Sequence, residues 1–395
     1  MHPPSPSRIP RGAIVGLSLA AFGSGVSLRL NDALLPRLAA EFSIGIGQAA
    51  QVTSLFAIAY GVATLLFGPL GDRYGKYRVI AWACVACALA AGLCAMASGF
   101  DGLRLARLLA GATAAAIIPL SMAWIGDVVD YDQRQPVLAR FLIGQILGVA
   151  MGVWLGGFAA DHLGWRPPYA LLAVFFTLIA VALLRMHARL PAFARAVGRE
   201  RRHMLSEFGE VLALPWARVL LLTVFLEGVC LYGPFAFIAS YLHGRFGMSL
   251  SSAGAVVMLF GMGGFLFALG SARLARRLGE GGLVRGGGLL VGASLLSLAL
   301  APHWGWSPPA CLLTGLGFYM LHNTLQLNAT QMAPERRGAA VAAFASCFFL
   351  GQSAGVALGG VLIGPMGAPG FIAAGGLGVL TVALGLAAKM ARRQR

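Results

Sequence analysis

Charge is what this chain has least of. Only 11% of its 395 residues are Asp, Glu, Lys or Arg, and just 14 are acidic, whereas globular domains carry about 25% charged residues and disordered chains carry more. An ordinary water-soluble enzyme and a disordered segment are both excluded. Cysteine is scarce as well: six residues are too few for a disulfide scaffold. Cys84, Cys87, Cys94, Cys230, Cys311 and Cys347 have no His or acid at ligand spacing, so they read as small buried apolar residues and no metal site is expected. No P-loop, dinucleotide-binding glycine motif, zinc signature or Ser-His-Asp order is present. ATP-driven pumping and enzyme catalysis therefore lack support, and no cofactor is expected. The 54 glycines have no three-residue period, which excludes collagen.

What the chain does have is apolar length: 58% of it is hydrophobic and the mean hydropathy is +0.79. That is the composition of a polytopic membrane protein. A bilayer core of about 30 Å needs about 20 apolar residues per helix, and twelve such stretches can be drawn, at 12–38, 47–70, 77–99, 102–126, 137–160, 167–187, 216–242, 250–273, 283–301, 308–330, 338–363 and 369–391. They do not alternate and are twice the length of a barrel strand, so the expected class is all-α. The first stretch is too long for a cleavable signal peptide and lacks a following small-residue cleavage site, so it is expected to remain in the chain.

The net charge of +16 is a matter of topology. With both termini in the cytoplasm, 24 of the 30 Lys and Arg residues fall at cytoplasmic ends and loops, leaving Arg29, Arg37, Arg104, Arg107, Arg166 and Arg245. Nucleic acid is thereby excluded as the expected partner. The segment 189–215 interrupts the apolar pattern and reads as a cytoplasmic linker between an N-terminal half, 1–188, and a C-terminal half, 216–395. Met204, Leu205, Phe208, Val211 and Leu212 share one helical face of it, opposite Glu207 and Glu210, as an amphipathic helix would place them.

The two halves carry an internal repeat. Gly144-Gln145-Ile146-Leu147-Gly148-Val149-Ala150-Met151-Gly152 recurs as Gly351-Gln352-Ser353-Ala354-Gly355-Val356-Ala357-Leu358-Gly359, with six of nine positions identical at an offset of 207. A weaker echo pairs Leu70-Gly71-Asp72-Arg73-Tyr74-Gly75 with Leu274-Ala275-Arg276-Arg277-Leu278-Gly279 at 204. Both map one stretch onto the stretch six further on, which is how duplicated transporter halves are built. Gly144, Gly148, Gly152 and Gly156 give one helix a face without side chains. That face serves either static packing or a seam on which two bundles rock.

A motif follows the second stretch: Gly68-Pro69-Leu70-Gly71-Asp72-Arg73-Tyr74-Gly75-Lys76-Tyr77-Arg78. It resembles the signature loop of the major facilitator superfamily. Arg104-Leu105-Ala106-Arg107-Leu108-Leu109-Ala110-Gly111 looks like that family's fourth-span motif, and Gly156-Gly157-Phe158-Ala159-Ala160-Asp161-His162-Leu163-Gly164-Trp165-Arg166 like the end of its fifth span. Asn31-Asp32-Ala33-Leu34-Leu35-Pro36 and the glycine-rich fifth stretch bring the chain nearest to the twelve-span drug:proton antiporters, although Gly152 is followed by Val153 where that motif has Pro. The resemblance implies two pseudo-symmetric six-helix bundles with alternating access between them. It also implies a gate built on Gly68, Gly71, Asp72, Arg73, Gly75, Lys76, Gly148 and Gly152.

Ionisable groups at membrane depth are few and each is a functional candidate, because even lenient scales charge them about 2.5 to 3.5 kcal/mol. Arg29 and Asp32 are three apart and either neutralise each other or leave Asp32 as a proton carrier facing Arg107. Arg104 is expected to snorkel at the far membrane surface. Glu227 is a second proton or cation site, or a structural hydrogen-bonding group. His322, Asn323 and Gln326 form a polar stripe, with His322 either a ligand contact or a satisfied buried histidine. Arg29, Asn31, Gln145 and Gln352, with the aromatic Tyr60, Trp124, Tyr232, Phe235 and Tyr319, complete the expected substrate pathway. The expected function is proton-coupled export of a small, largely hydrophobic compound across a bacterial inner membrane, with lipids and that compound as partners and a monomer as the working unit. The alternatives are a carrier for a sugar, organic anion or siderophore, and a non-transporting membrane sensor on the same fold.

Overall fold

The computed structural model describes residues 10–195 and 204–394. Arg8, Arg199, Arg201, Arg202 and Arg395 of the charge argument, and the middle of the linker, lie outside the described residues, as do the side chains of Met204 and Leu205. Among the described residues all regular structure is helical: α1 (Arg11–Phe42), α2 (Ile46–Ala49), α3 (Gln51–Tyr74), α4 (Lys76–Met96), α5 (Phe100–Ala114), α6 (Ile117–Val128), α7 (Tyr131–His162) and α8 (Pro167–Arg189) in the first half, then α9 (Met204–Ala213) in the linker. The second half holds α10 (Pro215–Glu227), α11 (Gly233–Phe235), α12 (Ile238–Phe246), α13 (Leu250–Leu300), α14 (Ser307–Gln331) and α15 (Arg337–Gln394).

Nine helical segments are long and apolar enough to cross a bilayer among the described residues. Two of them, of 51 and 60 residues, are far longer than one crossing requires. Each is broken by a glycine in the left-handed region, Gly279 (φ 62°) and Gly367 (φ 71°), and Pro365 and Pro369 flank the second break.

Proline also explains the interruptions elsewhere. Pro119 cannot donate to Ala115, where α5 gives way to α6. Pro234 cannot donate to Cys230, and there the helix loosens into a single π turn, Gly228–Tyr232. That π turn begins one residue after Glu227.

Glycine contacts reveal how the repeat is used. A Cβ added at Gly144, Gly148, Gly152 or Gly156 of α7 would strike the backbone of Ser18, Phe22, Val26 or Leu30 of α1, always 126 residues earlier. In the second half Gly351 and Gly355 of α15 meet Phe225 and Val229, again 126 residues earlier. The offset of the weaker echo, 204, recurs in other contacts: Gly111 sits on Phe56 and Gly315 on Phe260, both at a separation of 55. Duplicated sequence has kept duplicated helix registers.

These registers correct one expectation. The glycine face of α7, Gly148 and Gly152 included, packs against α1 of the same half, so it is a seam inside a half and not a rocking surface between the two. Two large apolar cores follow, with a small third cluster of Phe267, Leu283 and Met320 in the second half. One draws on residues 13–194 with a few from beyond, among them Phe237 and Val356; the other draws on 211–390 with Ala33 and Val153. The linker helix α9 is tied to the second half through Arg336, which pairs with Glu207 (3.9 Å) and with Glu210. Val211 is fully buried beneath it, while Leu212, assigned to the same apolar face, is 51% exposed.

Candidate functional site

At mid-depth, where the halves meet, Arg29 leaves α1 one turn before Asp32. Its Nη1 lies 3.4 Å from Asp32 Oδ2 and both side chains are buried. Its Nη2 donates to Gln352 Oε1 of α15 at 3.1 Å, and its guanidinium stacks 4.0 Å above the Tyr232 ring and 5.5 Å from Phe235. One arginine of the first half is thus held by three side chains of the second. Three polar atoms of this buried cluster have no partner: Arg29 Nε, Asp32 Oδ1 and Gln352 Nε2.

Arg107 occupies a different place from the one its sequence position suggests. It donates from Nε to the Val52 carbonyl (3.2 Å) and from Nη1 to Ser27 Oγ (3.4 Å), and lies 4.3 Å over Phe56. With its amide turned to satisfy both neighbours, Asn31 gives its oxygen to Arg107 at 3.1 Å and its nitrogen to the Tyr169 hydroxyl. Asp32 therefore pairs with Arg29, not Arg107. Asn31 is a fully buried brace inside the first half. Sequence reading missed Tyr169 and Ser27, since nothing local marks an aromatic or a hydroxyl as the partner of a residue on another helix.

A second buried pair lies in the other half. His322 Nδ1 is 2.8 Å from Glu227 Oε2, Glu227 is fully buried with Oε1 unpartnered, and the histidine ring packs on Phe318, Phe344 and Phe348 at 4.8, 5.4 and 4.5 Å. The expected stripe on α14 is divided. His322 faces this pair, Gln326 is half-buried and Asn323 is exposed. Tyr319 packs on Phe318 and Phe260, near Tyr232. Tyr60 stacks on Phe349 across the junction at 4.0 Å. Gln145, counterpart of Gln352, is half-buried and outside the Arg29 cluster. Trp124 is remote from the junction, donating to the Ala194 carbonyl (2.9 Å) at the start of the linker.

The signature loop is stitched within its own half. Lys76 pairs with Asp72 (3.1 Å) and Asp127 (2.6 Å), Arg73 covers Tyr74, Gly71 packs under Leu120, and Gly75 turns the chain at φ 87°. Gly68 has open space around it. Arg104 pairs with Asp101 near the start of α5, where a snorkelling cation was expected.

Contacts between the halves lie at mid-depth and on the side away from the chain termini. Gly47 meets Gly360, and Gly254 meets Val153, two contacts that are images of each other at an offset of 207. Gly157 meets Leu250. Ser54 and Ser353 each donate to the other's carbonyl, at 3.0 and 2.9 Å. Asp161, at the end of α7, caps the start of α13 in trans: it accepts from Leu250 N (3.2 Å), Ser251 N (2.7 Å) and Ser251 Oγ (2.6 Å). Asp161→Ala removes all three bonds, and single cysteines placed near this cap are expected to react severalfold faster with a membrane-impermeant maleimide. Unchanged labelling would show that the cap does not hold the halves together.

A membrane helix bundle in two matching halves, closed at one side and with buried charge at its centre, is the architecture of a secondary transporter. The family model of the Major Facilitator Superfamily matches residues 17–356, and the chain belongs to that family. It is similar to the uncharacterized MFS-type transporter YceJ of Bacillus subtilis, with 25% identity over 86% of each chain. It also resembles the multidrug export protein EmrB of Escherichia coli, with 27% identity over 42% of this chain and 33% of that one. A probable sugar efflux transporter of Mannheimia succiniciproducens is 20% identical over 91% of this chain and 89% of its own length. In fold it matches a peptide transporter, POT (TM-score 0.78, 15% identity, 96% of this chain and 94% of that one), and the nucleoside transporter NupG (TM-score 0.76, 14% identity, 95% and 99%). The chain is a membrane transporter and not an enzyme.

Proposed function

We propose that this transporter exports small, largely hydrophobic compounds in exchange for protons, by alternating access. In this reading the chain crosses a bacterial inner membrane twelve times as two six-helix bundles, 1–188 and 216–395, joined by the linker 189–215. Both termini are cytoplasmic, and the chain works as a monomer among lipids with the proton as its only coupling partner. Gly279 and Gly367, each near the middle of an overlong helix, raise the nine apolar segments to eleven, and α14 (Ser307–Gln331), which is not among the nine, would be the twelfth crossing. The matching registers of the two halves support the pseudo-symmetry.

The observation that carries the function is the buried Arg29–Asp32 pair, which belongs to one half and is held by Gln352 and Tyr232 of the other. A carboxylate whose counter-ion is shared across the moving junction loses or regains that counter-ion as the halves separate. Its affinity for a proton changes with it. Asp32 is the proton carrier on this reading and Arg29, not Arg107, its exchange partner; Glu227 with His322 is a second protonatable pair. Contacts concentrated opposite the termini support a conformation closed on that side. One charge moved across 100 mV is worth about 2.3 kcal/mol, enough to concentrate a substrate roughly fiftyfold.

Organic anions are a second reading, favoured by one observation: Arg107 is satisfied by neutral acceptors, so the first half buries two arginines with one aspartate. Both readings are tested by a resistance panel of lipophilic cations, neutral antibiotics and organic acids in an efflux-deficient bacterium. Resistance to some compound that vanishes when a protonophore collapses the gradient is expected. Equal sensitivity with and without the transporter, across the panel, would refute export of toxic compounds.

A further inference from the structure

The three unpartnered atoms at the junction belong to a cluster whose two charges already neutralise each other, and this restricts what the site accepts. Arg29 Nε and Gln352 Nε2 are donors; Asp32 Oδ1 is an acceptor. All three residues are at least 98% buried, so in this conformation bulk water does not reach these atoms, and a ligand that supplies one acceptor and one donor would satisfy them together. Aromatic rings provide the walls: Tyr232 lies within 6.1 Å of Phe235, Phe260, Phe318 and Phe348.

Charge then separates the candidate ligands. A lipophilic cation would need an aromatic face and a free carboxylate. Here the Tyr232 face is covered by Arg29 at 4.0 Å and the Asp32 carboxylate is already paired with the same arginine. A cation would also lie against that guanidinium. An anion would have to draw Arg29 away from Asp32 and leave a buried carboxylate unpaired. An uncharged ligand can use the orphaned atoms without breaking the pair.

Resting on the export reading above, we infer that the cargo is an uncharged compound with a flat apolar body and, on neighbouring atoms, one hydrogen-bond acceptor for Arg29 and Gln352 and one donor for Asp32. A hydroxyl beside a carboxamide or ketone on an aromatic ring has this form. The donor's bond to ionised Asp32 competes with a proton for the same carboxylate, which gives exchange between cargo and proton the right sign.

The test is equilibrium binding to the full chain in lipid nanodiscs, which requires no transport. The probes share one naphthalene body: a hydroxynaphthamide whose amide nitrogen is dimethylated and whose two groups sit on neighbouring carbons, the N,N-dimethylnaphthamide that lacks the donor and the naphthol that lacks the carbonyl, naphthoate, and naphthylmethyl trimethylammonium. The hydroxynaphthamide is expected to bind about tenfold more tightly than either single-group probe and than both charged ones. Gln352→Leu should remove about the same factor for the hydroxynaphthamide and leave naphthol unchanged. Because the probe series edits the ligand, it stands even if that variant fails to fold. Tighter binding of the cation or of naphthoate, equal binding of all five, or binding of none would overturn the assignment. Export is judged separately by the resistance panel: selective binding without resistance would refute export and keep the ligand class.

Discussion

Asp32→Asn is expected to abolish concentrative transport while leaving exchange across the membrane intact. The substitution keeps the side chain's size and an oxygen for Arg29, but removes the group that gains and loses a proton. In proteoliposomes with an imposed pH gradient, uphill accumulation of an exported compound should be lost, the concentrations on the two sides ending equal. Counterflow, which needs only substrate on both sides, should continue at a rate within a fewfold of the unmodified protein. Breaking a buried ion pair by removing one partner commonly costs about 3–5 kcal/mol. Arg29 retains Gln352 and the Tyr232 face, so the loss should fall at the low end and the protein should still assemble. Arg29→Gln should uncouple in the same way. Arg107→Gln should instead weaken the first half, because its bonds run to Val52, Ser27 and Asn31. If Arg107→Gln uncouples and Arg29→Gln does not, the exchange partner has been misassigned; undiminished uphill transport in Asp32→Asn would remove the aspartate from the mechanism altogether.

The pairing of Asp32 shows where sequence reading stops. Composition and apolar length announced a helical membrane protein, because both are sums over many residues that local errors hardly disturb. The signature loop was legible for the opposite reason: its glycines, acid and cations are contiguous, and the ties of Lys76 to Asp72 and Asp127 keep them so. Partner choice belongs to neither category. Arg29 and Arg107 were both plausible counter-ions, and the decision is made by how α1 and α5 rotate against their neighbours. Asn31 of α1, itself held by Tyr169 of α8, satisfies Arg107 together with Ser27 and the Val52 carbonyl. The cap at Asp161 was equally hidden. Its partners Leu250 and Ser251 are 89 and 90 residues away, and a carboxylate at the end of one helix gives no local sign that it serves the start of another.

The glycines carry the same lesson in a form that can be measured. Spacing alone revealed a smooth face on α7, but spacing is identical whether that face meets its own half or the other. The registers decide it: Gly148 lies on Phe22 and Gly355 on Val229, within their halves, whereas Gly157 lies on Leu250 across the junction. These two kinds of glycine should fail differently. Gly148→Leu drives a side chain into the backbone of α1, where no rotamer relieves the clash, since the obstacle is the Phe22 main chain with Cα and C at 2.8 Å from even a Cβ. Overpacking of a tight core costs about 1–3 kcal/mol when neighbours can yield, and more when they cannot. Gly148→Leu should therefore cost most of the folded protein, and Gly355→Leu should do the same in the second half, as a monodisperse peak lost by size-exclusion chromatography in detergent. Gly157→Leu meets an equally hard obstacle, but one that can move away as the halves part. That variant should fold at near-normal yield and label faster from the face opposite the termini, since separating the halves there relieves its clash. Normal folding of Gly148→Leu would mean that the α1–α7 seam tolerates separation and is the rocking surface after all. Loss of folding in Gly157→Leu would mean that the contact between the halves is a fixed part of the core.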